Sequence, residues 1–219
     1  VIEKTKNKRM KYCSKVLALT ACALLIFQSF AYAQQNNTES LLEDFISKKG
    51  LVIGDSLPPA FWDISLPLVH HPNKDSSVRL SDYSDRLLVL DFWAFYCTPC
   101  IASLDKWQQL EHVFENKVKV IGIYLFDAPK RAEPFAKKRN WDMAIAAGNK
   151  MDTLLNQLFY ARGRYGQVWI KDGKLLAIPK NKIVNEALVG KVLAREPVEI
   201  EMEVSHTYFE NSCDLLLMN

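Results

Sequence analysis

The sequence predicts an α/β fold: a mixed central β-sheet flanked by helices, with an N-terminal β extension. Three observations carry that prediction. Arg86–Phe92 is almost continuously apolar, the pattern of a strand buried on both faces. Val118–Tyr124 is a second such run, and between the two Leu104, Trp107, Leu110, Val113 and Phe114 recur at helical spacing. Later, Gln167–Ile170 and Leu175–Ile178 flank Lys171-Asp172-Gly173-Lys174, whose Asp-Gly pair marks a tight hairpin. A strand–helix–strand unit needs parallel strands and a hairpin needs antiparallel ones, so a sheet holding both is mixed.

The elements follow in chain order. Residues 1–15 hold six Lys/Arg and one acid, Glu3; an apolar stretch, Val16–Phe30, comes next, then Ala31-Tyr32-Ala33-Gln34. Basic, apolar, small-x-small is the order of a bacterial export signal. Residues 1–33 are therefore expected to be a signal peptide, cleaved after Ala33. Two alternatives stay open. Leu19-Thr20-Ala21-Cys22 resembles a lipoprotein box, and an uncleaved segment would be a membrane anchor. Each places the remainder in the periplasm or cell envelope. Residues 34–49 form a polar tether and a short helix, Leu41–Lys48. Leu51–Pro59 is a lead-in turn broken by Gly-Asp and Pro-Pro. Ala60–Val69 reads as a weak strand interrupted by Pro67, His70–Ser77 as a loop, and Leu80–Tyr83 as a short turn. Thr98–Asn116 is the helix between the two apolar strands. Pro129 sits at a first helical position and opens a helix over Lys130–Asn140. Met151–Phe159 is a further amphipathic helix, and Lys182–Leu193 the last one. The globular domain is thus expected over 50–195. From Glu196 the alternation of Val198, Ile200, Met202 and Val204 with glutamates reads as an exposed strand. The remaining tail, 196–219, is expected to be a linker or a truncated end.

Bulk composition narrows the function. With 219 residues, 49% of them hydrophobic, the chain can bury one core and still carry extensions. Its net charge of +3 is concentrated at the start: beyond residue 15 there remain 22 basic and 24 acidic residues, a net of −2. No basic stripe is left to bind nucleic acid, so no nucleic-acid partner is expected. Of five cysteines, Cys13 and Cys22 lie in the signal region, leaving Cys97, Cys100 and Cys213. Three is odd, which excludes a fully paired framework within the chain; Cys213 is expected to be a spare thiol.

Cys97-Thr98-Pro99-Cys100 follows the apolar strand and opens the helix. A helix N-terminus offers unpaired N–H groups and partial positive charge, both favouring thiolate over thiol. Cys97, at the rim, would be the attacking sulfur. Cys100, one turn in and more buried, would resolve the mixed disulfide. Pro99 fits a first turn, where a missing N–H is harmless; Thr98 and Pro99 would tune the reduction potential. Asp91 lies inside the apolar strand six residues before Cys97. A carboxylate there would be desolvated and its pKa raised, which suits it to exchange a proton with Cys100 through water; the alternative is a strand-end Asp that caps or faces solvent. The competing readings are half a metal site and a structural disulfide. No second Cys-x-x-Cys completes a zinc set, and His70, His71, His112 and His206 are scattered. Neither a metal nor an organic cofactor is expected.

Asp91-Phe92-Trp93-Ala94-Phe95-Tyr96-Cys97-Thr98-Pro99-Cys100 resembles the thioredoxin active-site segment. Gly54-Asp55-x-x-Pro58 and Leu80-Ser81-Asp82-Tyr83 are similar to the TlpA/ResA-like branch, whose members are exported bacterial thioredoxin-fold proteins. Val168–Lys174 is similar to that branch's hairpin, so the resemblance covers about residues 50–193. It implies a thioredoxin-like fold and a thiol–disulfide oxidoreductase used mainly as a reductase. Its substrates would be disulfides in other exported proteins, apocytochromes during haem attachment among them. A membrane dithiol would be the electron donor. The family also has an acid at the place of Asp91. Two departures stand out. Tyr96 occupies a position where the family carries Trp, and Tyr165, within Gly163–Gln167, occupies that of a cis-proline. A cis bond before a non-proline residue costs about 2.5–4 kcal/mol, so this loop is expected to be reshaped or strained. Trp93, Tyr96, Thr98, Pro99 and Tyr165 are the residues expected around the partner groove. A peroxidase on the same fold would need Thr three residues before the reactive cysteine, where Ala94 stands. The alternative function is a redox-inactive or metal- or copper-handling binding protein on this fold.

Overall fold

The structure is a computed structural model. It describes residues 20–23, 25–26, 28, 33–34, 37–47, 51–125, 129–148, 150–160 and 165–203. The chain divides into two units, Val1–Ser40 and Leu41–Asn219. Most of the expected signal segment, Cys13, Gly163, Arg164, Cys213 and the end of the tail lie outside the described residues. In the first unit the described residues are helical and Cys22 is exposed. No helix among the described residues is long and apolar enough to cross a membrane.

The second unit is built on a seven-stranded sheet. Its strands are β1 (Ser65–His70), β2 (Ser77–Arg79), β3 (Leu87–Trp93), β4 (Val118–Tyr124), β5 (Ala144–Ala147), β6 (Gly166–Lys171) and β7 (Lys174–Ala177). Their spatial order is β2-β1-β5-β4-β3-β6-β7. β3 pairs in parallel with β4, and β4 with β5; β3–β6, β6–β7, β1–β5 and β1–β2 are antiparallel. The sheet is mixed for the reason the sequence indicated. Among the described residues it is covered by α1 (Pro59–Trp62), α2 (Thr98–Val113), α3 (Ala132–Lys138), α4 (Lys150–Phe159) and α5 (Glu186–Ala194), together with a helical stretch at 41–47.

Every residue of β3 is buried, because the strand has helices over both faces. Leu88, Leu90 and Phe92 point into one core with Phe61 of α1 and Leu155, Leu158 and Phe159 of α4. Leu42, from a helical stretch at 41–47, joins that core. Leu87, Val89 and Trp93 point into the other, with Leu104 and Trp107 of α2, Ala132 and Ala136 of α3, and Val189 and Val192 of α5. Alternation along one strand thus divides the apolar residues between two layers.

Several elements differ from expectation. Residues 60–69 do not form one strand: Pro58 and Pro59 start a one-turn helix, and the strand begins at Ser65. Pro67 is accommodated because the ladder with β5 begins one residue later, at Leu68. The expected loop His70–Ser77 runs into a short strand, β2, at its end. β5 was not expected: three of its four residues are alanine, a weak strand former, and burial between β1 and β4 decides its state. The helix expected at 130–140 is a 3-10 turn at Pro129–Arg131 followed by α3. The last helix starts at Glu186, after a 3-10 turn at Asn181–Ile183 and an Asn185 cap whose side chain accepts from the Leu188 N–H. The stretch read as an exposed strand is packed inward: Val198 and Ile200 are buried in the second core, and Met202 bridges to Pro179.

Candidate active site

β3 ends at Trp93, the chain turns, and α2 begins at Thr98 with Cys97 as its N-cap. The Cys97 N–H donates to the Ala94 carbonyl at 2.9 Å, closing the turn that presents the sulfur. Cys97 and Cys100 form a disulfide with their Cα atoms 5.3 Å apart. The two sulfurs differ in access. Cys97 is half-buried, whereas Cys100 is 2% exposed beneath the first helical turn. Pro99 lies in that first turn, and Thr98 and Pro99 are both exposed.

Asp91 is fully buried, on the α2-facing side of β3 shared with Val89 and Trp93. Burial pushes its carboxyl from an ordinary value near 3.8 up to about 7, against a hydrogen bond that pulls it down. That bond is donated by Ser103 Oγ to Asp91 Oδ2 at 2.6 Å. Ser103 is one turn beyond Cys100 on α2, so the helix face that buries the inner sulfur also holds the carboxylate. Asp91 Oδ1 has no hydrogen-bond partner among the described residues. In β4, Gly122 stands opposite Asp91. A Cβ at Gly122 would come within 2.7 Å of Ile145 Cδ1 and 3.3 Å of Trp93 Nε1. The glycine lets Trp93 and Leu104 close over the strand beside the carboxylate.

Tyr96 is 59% exposed and hydrogen-bonds through its hydroxyl to that of Tyr165, their rings meeting edge to face at 5.9 Å. Burial and the Tyr96 phenol raise the pKa of Tyr165. The loop before β6 is thus tied to the dithiol turn by a phenol pair. No peptide bond among the described residues is cis, and the bond joining Tyr165 to its predecessor lies outside them. At Gly166 the backbone has φ +140°, and a Cβ would meet Tyr160 Oη at 3.0 Å. Trp93 requires a correction. It is fully buried, edge-on to Tyr124 and Trp141, and so lies under the site and does not line a partner groove.

Sequence reasoning did not single out three side chains around the dithiol: Ser103, Gln167 and Asn181. Gln167 is 1% exposed and directly across the β3–β6 ladder from Asp91. The signal for Ser103 and Gln167 was a polar residue standing in an otherwise apolar stripe. A cavity of about 460 Å³ lies elsewhere, lined by His71, Arg86, His112, Lys119 and others near the starts of β3 and β4, opposite the dithiol end.

A mixed sheet whose central strand delivers a Cys-x-x-Cys pair to a helix N-terminus defines a thioredoxin-fold dithiol protein. The chain belongs to the AhpC/TSA family, whose model matches residues 56–185. Relatives named thiol-disulfide oxidoreductase ResA include one from Geobacillus kaustophilus, 23% identical over 195 residues, 89% of this chain and 98% of that protein. The protein of that name from Oceanobacillus iheyensis is 25% identical over 120 residues, which span 54% of this chain and 57% of the relative. Among solved structures, a Chlorobium tepidum protein described as a thiol:disulfide interchange protein DsbE superposes with a TM-score of 0.51 at 25% identity. The match covers 66% of this chain and 97% of that one. The thioredoxin domain of a Bacteroides vulgatus thiol-disulfide oxidoreductase superposes at 0.52, with 17% identity, 65% of this chain and 99% of that one. This last likeness speaks to the fold alone.

Proposed function

We propose that the protein is an exported thiol–disulfide oxidoreductase that reduces disulfides in other exported proteins, apocytochromes among them. The observation that carries this reading is the unequal pair: an accessible Cys97 at the N-cap position of α2 and a buried Cys100 on the helix face that meets Asp91. Relatives bearing the oxidoreductase name support it.

In the reduced protein the Cys97 thiolate attacks one sulfur of a client disulfide. The client S–S bond breaks, a Cys97–client mixed disulfide forms, and the departing client thiolate takes up a proton. Cys100 then gives its proton to the Asp91 carboxylate and attacks the Cys97 sulfur. The second client thiolate leaves and is protonated, and the Cys97–Cys100 disulfide is restored. With a pKa near 7, Asp91 can accept and return that proton at neutral pH. A membrane dithiol donor would supply the two electrons for the next cycle. Tyr96, Thr98 and Pro99 flank the cysteines in the chain, Tyr165 meets Tyr96, and all four would meet the client.

The test is insulin reduction by the purified, reduced chain. Cys97→Ser is expected to abolish turnover, and Cys100→Ser to accumulate mixed disulfides with clients. Turnover that survives Cys97→Ser refutes the assignment. A reduction potential well below about −200 mV supports a reductase, whereas one near about −120 mV marks an oxidant.

A further inference from the structure

Behind the dithiol turn runs a chain of side-chain amides whose orientation is fixed at its far end. Trp107 Nε1 and Trp169 Nε1 both donate to Gln167 Oε1, at 2.7 and 2.8 Å. An indole N–H only donates, so two of them on one atom identify that atom as the amide oxygen. Gln167 Nε2 must then face the other way, and it donates to Asn181 Oδ1 at 2.6 Å. That contact in turn orients Asn181, whose Nδ2 faces the Pro99 carbonyl at 3.4 Å, a long hydrogen bond. Two buried tryptophans thereby decide that a donor, and not an acceptor, meets the backbone between the two cysteines.

The position of that carbonyl gives the donor a chemical consequence. Cys97 is the N-cap of α2, and an N-cap side chain accepts from the N–H at the second or third helical position. The second is Pro99, which has no N–H, so of these two only the third, Cys100, has an N–H to offer a Cys97 thiolate; in the disulfide form the Cys97 side chain makes no such bond. The Pro99 carbonyl and the Cys100 N–H are the two ends of a single peptide group. A donor on the carbonyl end polarises that group and strengthens its N–H.

We propose that Gln167 and Asn181 are positioning residues that hold an amide donor on the Pro99 carbonyl and so strengthen the Cys100 N–H as the cap of the Cys97 thiolate. The proposal rests on Cys97 being the attacking sulfur. It makes the loop after β7 a determinant of the dithiol's poise, although Asn181 lies 82 residues from Pro99 in sequence. It also separates the side chain of Asn181 from its backbone. Lys106 Nζ donates to the carbonyls of Asn181 and Val184 at 3.0 and 2.8 Å, so the turn keeps its anchor when the side chain is removed.

The test uses the full chain, reduced, with alkylation by iodoacetamide followed against pH and read at the Cys97 peptide by mass. Asn181→Ala is expected to raise the Cys97 pKa by about half a unit, the scale of one lost polarising bond. The reduced form then loses stability at pH 7. The equilibrium with glutathione shifts about threefold towards the disulfide, about 14 mV more negative at 29.6 mV per tenfold. Asn181→Asp, measured in high salt to screen its charge, sets an acceptor against the carbonyl and is expected to raise the pKa further. Trp169→Phe leaves Trp107 to lock Gln167 and is expected to leave Cys97 unchanged. If wild-type Cys97 titrates low and Asn181→Ala matches it in both pKa and potential, this proposal is overturned while the exchange function stands. If wild-type Cys97 already titrates like free cysteine, near about 8.5, both are overturned.

Discussion

Asp91 is a carboxyl that the fold keeps partly protonated at neutral pH. Its folded pKa, about 7, lies above the ordinary value near 3.8, so the native state binds the proton more tightly than the unfolded chain does. The associated stability is complete below about pH 4 and is lost as pH rises through 7. Asp91→Asn is therefore expected to stabilise the protein at pH 8, by on the order of 4 kcal/mol, with little effect at pH 4. Urea denaturation at the two pH values checks the sign. The same substitution is expected to slow the resolution of mixed disulfides and to remove a titration near 7 from its rate. Burial of this residue was one of two readings the sequence allowed, a strand-end acid facing solvent being the other, and the structure buries it completely. Its bond from Ser103 was not legible there, because residues 12 apart in the chain meet only once α2 has docked on β3.

At the level of elements, the β3–α2 junction places the dithiol, and its contact with β4 depends on one missing side chain. Gly122→Ala puts a methyl within 2.7 Å of Ile145 Cδ1 and 3.2 Å of Leu104 Cδ2, in the layer beneath α2. The expected cost is about 1–3 kcal/mol, seen as a lower urea midpoint with an unchanged slope. The long apolar strands β3 and β4 and the Asp-Gly hairpin were readable because periodicity and turn chemistry are local. β5 and β2 were not. Ala144-Ile145-Ala146-Ala147 carries no strand preference of its own and is made a strand by neighbours on both sides.

At the scale of the whole molecule, the β7 edge of the sheet is covered by a segment that looks like a connection in the sequence. Residues 54–57 pair with β7: the Gly54 N–H donates to the Leu175 carbonyl at 2.8 Å and the Leu57 N–H to the Gly173 carbonyl at 2.9 Å. At the other edge the β1–β2 hairpin extends the sheet beyond β5. Beyond β7 the chain adds the 198–202 stretch, where the Lys180 N–H donates to the Glu201 carbonyl and the Glu203 N–H to the Ile178 carbonyl. Ile200 is 3% exposed there. Ile200→Ala is expected to cost about 2–4 kcal/mol of stability in the same denaturation assay. A surface strand would lose almost nothing.

The sequence by itself determined the dithiol, the strand that carries it and the helix that caps it, because all three lie within one continuous stretch and obey local rules. It left Asp91 between a buried proton carrier and a solvent-facing strand-end acid, and the packing of α2 on β3 buried it. Tertiary structure decided which polar side chains meet behind the sulfurs. Ser103 reaches Asp91 across 12 residues, Gln167 takes the Trp107 indole across 60 and reaches Asn181 across 14, and Asn181 reaches Pro99 across 82. Such pairings depend on the packing of whole layers, since a buried polar atom takes whichever partner the closed core leaves within reach. Tertiary structure also placed Trp93 beneath the site, because an alternating strand sends every second side chain to the same core.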